Sequence, residues 1–494
     1  MSKSQIRMTG WNISRLAGIV VAGMVTALCA HPTPVVQPQP PATQDIEALI
    51  ERGCFRCLTQ ALGMAKERGI QQLAFETAVL LTLRANELGM PKQEWLTQAQ
   101  ELTGGDPTRT LYLEMVASVP PDPLSGQRDD LLVETQIRNR SQQILPMWRD
   151  MLGVATASRA FREYLNLTLV CQVDTSRERI DRFNELSARV ADMPLLRYRV
   201  GICNARFTRD NIASLTAVRS ADPEFVDVDY PIGRYLLDNT ESADQDEALR
   251  RFQSAAAAFP TSVSIALSIG HLYQSWEEWA SALAAFDATL ALMPTHPDAQ
   301  LGRTISLSQL ARHQEAIDAA TKLIDGGRWH LGQAFYWRAW NHYNLNDNGR
   351  ARADADRTRT LMVNTAVFLL SGLIEWKAPR LPSAEKEFEQ SIAMDFGQCL
   401  GALYLGGVRT ELSKDAEAIA ALQQARQCYD LSIAVHRAAI EKLNGGSGTP
   451  ASKARGIARE ERLIADAERR REQAIKTSDA LKLRQKQSSA QPSR

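Results

Sequence analysis

Six alanines limit what this chain can fold into. Ala248, Ala282, Ala316, Ala351, Ala384 and Ala418 follow one another at steps of 34, 34, 35, 33 and 34 residues. A near-constant step of this length marks a solenoid, in which each unit buries its apolar face only against its neighbours. Each alanine opens an amphipathic stripe. In SALAAFDATLAL, residues 281–292, apolar side chains return every three or four positions, the period of a helix with one buried face. Twelve residues before five of the alanines stands another small residue: Gly270, Thr304, Ala339, Gly372 and Gly406. That spacing fits two antiparallel helices around a tight turn. The first unit has Leu236 at this place, which predicts different or looser packing there.

The pattern resembles the tetratricopeptide repeat, whose 34-residue unit has a small residue at position 8, Tyr at 11, Ala at 20, Phe at 24, a small residue at 27 and Pro at 32. Residues 263–296 supply Gly270, Tyr273, Ala282, Phe286, Thr289 and Pro294. The unit before it supplies Ala248, Phe252, Ala255 and Pro260, and a later one Ala384, Phe388 and Ser391. Ala320, Ala355 and Leu422 stand where other units should have Phe. The resemblance spans six units over residues 229–432 and implies an all-α, right-handed α-solenoid of helical hairpins.

In this family positions 2, 5, 9 and 12 of the first helix face the concave surface. Carried over, they give His271 and Gln274 in one unit, Tyr336, Trp340 and Tyr343 in another, and Leu369, Leu373 and Trp376 in the next. Leu403 and Thr410 follow in the last unit. The resemblance thus implies a groove with an aromatic and aliphatic strip, suited to a protein or peptide partner. Internal packing of the same aromatics between repeats is the competing reading. If the strip faces solvent, removing Trp340 and Trp376 together should leave melting unchanged. Position 9 reads His271, Ile305, Trp340, Leu373 and Gly407, without the Asn that the family's clamp for acidic peptide tails uses.

The flanks read differently. Lys3, Arg7 and Arg15 precede the apolar run of residues 16–30, which is too short to span a bilayer comfortably and has the pattern of an export signal. Cys29 in that run resembles the lipidation site of bacterial lipoproteins, although Leu28 stands where that motif has Gly, Ala or Ser. A lipid tether on Cys29, cleavage after Ala30 and an uncleaved anchor all remain open. Residues 31–44 form a Pro-rich linker, and 45–228 read as helices in degenerate repeats. Residues 433–486 are expected to form C-terminal helices that cap the last repeat, and 487–494 a disordered tail. The Arg469-Arg470-Arg471 run also suits a basic helix that touches a partner or an anionic lipid.

Six cysteines lie beyond the leader, an even number that suggests disulfides in an exported protein. In the repeat register Cys399 falls at position 1 and Cys428 at position 30, the same open end of one hairpin. Cys171 and Cys203 are separated by nearly one repeat, which suits stacked neighbouring helices. Cys54 and Cys57 form a CxxC at a helix start, read as a local disulfide or as a thiol–disulfide exchange pair.

Lys plus Arg equals Asp plus Glu, at 57 each, so no basic excess points to nucleic acid. The sequence holds no HExxH, GxSxG or GxxxxGK[ST] motif, and neither a cofactor nor a metal is expected. The function expected from sequence is non-catalytic: a periplasmic or outer-membrane-associated scaffold in the bacterial cell envelope. The alternatives are a helper of a transport system holding a small apolar ligand among Tyr336, Trp340, Tyr343 and Trp376, and a redox factor using Cys54 and Cys57.

Overall fold

A computed structural model describes residues 43–120, 122, 131–154, 156–190, 192–207, 212–238, 242–395, 397, 399–446 and 449–490. The run read as an export signal, Cys29 and residues 31–42 of the expected linker lie outside them. Every regular element among the described residues is helical. The helices before the repeats are α1 (Gln44–Arg52), α2 (Phe55–Glu67), α3 (Gln71–Glu87), α4 (Gln93–Glu101) and α5 (Pro107–Ala117). They continue as α6 (Leu131–Val154), α7 (Arg159–Thr168), α8 (Arg179–Arg189), α9 (Pro194–Phe207) and α10 (Ala213–Ala221).

Six hairpins follow: α11 (Asp229–Asp238) with α12 (Ser242–Ala258), α13 (Val263–Ser275) with α14 (Trp279–Leu292), and α15 (Pro297–Gln309) with α16 (His313–Asp325). The others are α17 (Leu331–Asn344) with α18 (Asn348–Leu361), α19 (Thr365–Lys377) with α20 (Leu381–Met394), and α21 (Cys399–Glu411) with α22 (Asp415–Gly445). Each hairpin packs on the next in chain order, an all-α solenoid, and α23 (Pro450–Ala490) is the last described helix.

The six alanines that set the period are all fully buried, because they sit where the two helices of a hairpin cross. Phe252, Phe286 and Phe388 are also fully buried. At Gly270 a Cβ would stand 2.7 Å from the ring of Phe286, and at Gly372 only 2.5 Å from that of Phe388. Phe286 is pressed from its other side by Gly302 of the next hairpin, where a Cβ would stand 2.4 Å away. One ring therefore fills the space between successive hairpins and holds both. Burying such a side chain contributes about 2–3 kcal/mol. Where Ala355 replaces the Phe, Tyr336, Trp340 and Tyr343 lean into the cluster of Ala339, Ala351, Leu370 and Ile374.

The first hairpin corrects the expectation at Leu236. Gly233 takes the small position, with a Cβ there standing 2.7 Å from Phe252, the same approach as Gly270 makes to Phe286. Gly233 precedes Phe252 by 19 residues, whereas Gly270 precedes Phe286 by 16. The second helix, α12, begins one turn earlier relative to its alanine than α14 does, so the lock is kept and a count of twelve from Ala248 lands one turn late.

Residue 15 closes the first helix of four of the units. Glu277, Ala311, Asn346 and Ser413 adopt left-handed φ of 60°, 56°, 64° and 59°. The following amide then donates back five residues, as from Glu278 to the Tyr273 carbonyl at 3.0 Å and from Arg312 to Leu307 at 2.9 Å. This satisfies carbonyls that the helix end would leave unpaired.

Ahead of the repeats, α3, α7 and α9 surround a buried ionic network. Arg84, fully buried, pairs with Asp227, stands 3.4 Å from Glu87, and lies 3.6 Å from the Tyr198 ring centre. Arg199 reaches Glu87 at 2.8 Å, and Tyr164 donates to the same carboxylate at 2.6 Å. The end of α3 docks on the first repeats, where Ser262 Oγ donates to the Leu88 carbonyl at 2.5 Å and the Val263 amide to that of Gly89 at 3.1 Å. Gly89 has φ +62° and a Cβ on it would stand 1.9 Å from Ser264 Oγ, so no other residue fits there.

At the other end, α22 runs unbroken past residue 432, so the boundary set there from sequence falls inside a helix. It is 31 residues long, about 46 Å, and α23 is 41 residues, about 61 Å. Helix α23 turns back antiparallel along α22 and extends to Ala490, so residues 487–490 are helical rather than tail. Ala467, Ala474 and Leu481 of α23 are buried in the core of the last two hairpins. No helix among the described residues is long and apolar enough to cross a membrane.

Gly270→Ala should lower the unfolding free energy by about 1–3 kcal/mol through overpacking against Phe286. Adding Phe286→Leu should recover part of that loss in denaturant titration, which distinguishes a steric lock from a change in helix propensity.

Candidate functional site: the concave face

The first helices of successive hairpins, α13, α15, α17, α19 and α21, build one face of the solenoid. Between α13, α15 and α17 lies an open cavity of about 580 Å³. Leu301, Gly302 and Ile305 form its apolar floor, and His271, Gln274, Asp298 and Gln333 its polar walls. His271 stacks edge-on against Phe286 at 5.7 Å, and its burial lowers the imidazole pKa, so the ring is neutral at pH 7. Asp298 accepts from His330 Nε2 at 2.6 Å. His271 and Gln274, both singled out from the sequence, thus meet in one concavity.

The aromatic strip does not join them. Tyr336, Trp340 and Tyr343 are half-buried in the seam between α17, α18 and α19. Trp340 and Tyr343 lie 6.1 Å apart, Lys377 sits 4.3 Å above the Tyr343 ring, and burial raises the Tyr336 and Tyr343 pKa. Leu373 and Trp376 belong to the following cluster with Phe388, Leu405 and Leu422. Trp376 meets Tyr404 at 5.9 Å and Phe388 at 6.1 Å, and its Nε1 donates to Glu411 at 2.9 Å. A Cβ on Gly407 would stand 2.6 Å from the Trp376 ring, so the glycine admits the indole. These aromatics join neighbouring repeats while leaving part of each ring accessible, so the packing predicts that their removal lowers melting rather than leaving it unchanged.

The cavity's remaining wall comes from outside the repeats. Arg459 of α23 lines it together with Glu277, to which it bonds at 3.1 Å. Sequence reading missed this residue. The signal was present in Arg455, Arg459 and Arg462, which share one helix face by spacing. The Arg469-Arg470-Arg471 run, by contrast, is engaged within the hairpin: Arg469 and Arg470 with Asp466, and Arg471 with Asp430.

The six cysteines stand in three close pairs. Cys54 and Cys57 have Cα atoms 4.9 Å apart, Cys171 and Cys203 5.5 Å, and Cys399 and Cys428 5.3 Å. Cys54 caps α2 by accepting from the Cys57 amide at 3.0 Å, and both are only 3% exposed. Among the described residues no group of three or more His, Cys, Asp or Glu is placed to hold a metal ion.

A 34-residue step, a position-24 ring locked against a position-8 glycine, and a left-handed residue at position 15 occur together in one array. This is a tetratricopeptide-type fold. No protein-family model and no curated protein matches the chain. Among solved structures, the chain is similar to YrrB, described as a TPR protein with an unusual peptide-binding site, at 21% identity over 36% of this chain and 91% of that one, with a TM-score of 0.30. It is also similar to PilW, a type IV pilus biogenesis factor, at 15% identity over 42% and 92% of the two chains and a TM-score of 0.35. A tetratricopeptide repeat protein from Parabacteroides merdae is similar at 16% identity over 54% and 98%, with a TM-score of 0.34. These likenesses concern the fold alone, and the repeat assignment rests on the geometry above.

Trp376→Ala should lower stability by about 3–5 kcal/mol, because the ring fills the space against Gly407 and Phe388. Thermal or denaturant unfolding of the single variant measures it.

Proposed function

We propose that this protein is a non-catalytic tetratricopeptide-repeat scaffold of the bacterial cell envelope that holds a protein or peptide partner on its concave face. The observation that supports this reading best is the cavity between α13, α15 and α17. An apolar floor with polar walls, open to solvent, suits a side chain or short segment of a larger partner better than a fully enclosed small molecule. A small apolar ligand among Tyr336, Trp340, Tyr343 and Trp376 is less well supported, since these rings occupy two separate seams rather than one enclosure. The redox alternative has burial against it: exchange needs an accessible thiolate or disulfide, and Cys54 and Cys57 are nearly covered.

The envelope part of the proposal rests on the leader, with its basic residues ahead of a short apolar run, and export places the six cysteines where disulfides persist. All three pairs have Cα separations within the range a disulfide bridges. The lipid tether on Cys29 belongs to the same proposal. It would hold the solenoid at a membrane surface with no contribution from the repeats.

A photo-reactive residue at Gln333, which is exposed on the cavity wall, should capture the partner in living cells. The same residue at Lys386, on the outer helix α20, should not. Equal capture at both positions, or none at either, would contradict the concave-face reading. For the cysteines, non-reduced protein from the envelope fraction should show no free thiol among the six after denaturation. Cys399→Ala with Cys428→Ala should then cost about 3–4 kcal/mol, the loop entropy of the closed hairpin.

A further inference from the structure

Helix α23 is fastened in two unlike ways. Its C-terminal part is held by apolar burial, with Ala467, Ala474 and Leu481 in the core of the last hairpins and Arg484 3.6 Å from Asp415. Its first thirteen residues, 450–462, lie far from that core and include no buried apolar side chain; the one buried residue there is Ser452. They run along the end of α22, where Glu460 bonds His436 at 2.6 Å and Gly456 lies against Leu443, and reach across to the first two repeats. Thr449 Oγ1, just ahead of the helix, donates to Asp246 at 2.5 Å, and Arg455 pairs with the same carboxylate. Arg455 also lies 3.8 Å from the centre of the Trp276 ring, which is itself oriented by its Nε1 bond to Gln245 at 2.7 Å. Arg459 and Arg462 converge on Glu277 at 3.1 and 3.2 Å. Beneath these contacts the seam is not filled: a cleft of about 370 Å³ lies between Ala458 and the side chains of Trp276 and Trp279.

From this asymmetry we infer that residues 449–462 form a salt-sensitive clasp, which walls one side of the open cavity on the concave face and can release without unfolding the repeats. Glu277 and the arginines facing it are part-exposed, with Arg459 at 49% and Arg462 at 62%. Pairs of this kind are screened by salt and individually weak. The Trp276 contact and the Asp246 pair are more sheltered and complete the closure. On release, Arg459 leaves the cavity wall, and the groove between α13 and α15 widens toward the side where α23 had lain. The apolar end of α23 stays docked, so release is a local opening about the middle of the helix. The clasp bears on partner binding only if the concave face is the binding face, but its own existence can be tested without any partner.

Hydrogen exchange of the full chain, resolved by peptides, is the test. Raising NaCl from 50 mM to 1 M should speed exchange of 450–462 at least about tenfold relative to 467–481, since tenfold corresponds to about 1.4 kcal/mol, the sum expected of two or three such contacts. Glu277→Arg should do the same at low salt. Combining it with Arg459→Glu and Arg462→Glu should restore the slow exchange, a rescue that a general loss of folding cannot give. Glu277→Gln should lie between, and unchanged exchange in α14 reports that the repeats remain intact. Equal exchange of both segments at every salt concentration, or charge reversal that leaves 450–462 as protected as before, would overturn the clasp.

Discussion

The contact of a phenylalanine ring with a glycine backbone is what the repeats depend on. Phe286 has room only because Gly270 and Gly302 lack side chains, and helices α13, α14 and α15 are held at one separation by that ring. The same lock at Phe252 with Gly233 and at Phe388 with Gly372 carries the spacing along the array. Where Ala320 and Ala355 stand in the Phe position, the packing is taken over by other groups, and in α17 by large aromatics from the concave side. The degeneracy of the middle repeats and the half-burial of Tyr336 and Trp340 therefore have one cause. Side chains that would otherwise be free to contact a partner are partly drawn inward to fill a space.

The first repeat needs a partner surface on its outer side, as any terminal unit of a solenoid does. The N-terminal helices supply it through the Leu88–Gly89 carbonyls and the aromatic contact of Phe55 with Phe259 at 5.8 Å. Their own interior is organised around charge. Arg84, Arg199, Glu87 and Asp227 are held in fixed geometry by hydrogen bonds and by the Tyr164 and Tyr198 rings, which suits specification of one packing more than raw stability. At the far end the apolar half of α23 covers the last hairpin, as expected of a capping helix. Its polar half does something a cap does not, since it returns to the beginning of the array.

Much of the fold was legible because its contacts are between near neighbours in the chain. Ala248 and its five successors gave the period, and Phe286 with Gly270 lie within one unit. Leu236 was misjudged because a count assumes equal turns, and one added helical turn displaced the glycine without changing the contact. The site was legible in part. His271 and Gln274 line one cavity, whereas Trp376 and Trp340 pack into seams where the residues opposite them, Gly407 and Ala355, are small. Arg459 escaped notice because its role depends on Glu277, 182 residues away.

The sequence alone determined the helical hairpin, its 34-residue step and the residues that each hairpin buries, because periodic apolar and small side chains encode contacts over one or two turns of helix. Only the tertiary structure decided that the tip of the α22–α23 hairpin meets Asp246 and Glu277 and that a cavity opens beside it. That meeting depends on the small rotation between repeats summed over the whole array, together with the lengths of α22 and α23. No local pattern carries such a sum, so contacts across some two hundred residues exist only once the array has been assembled.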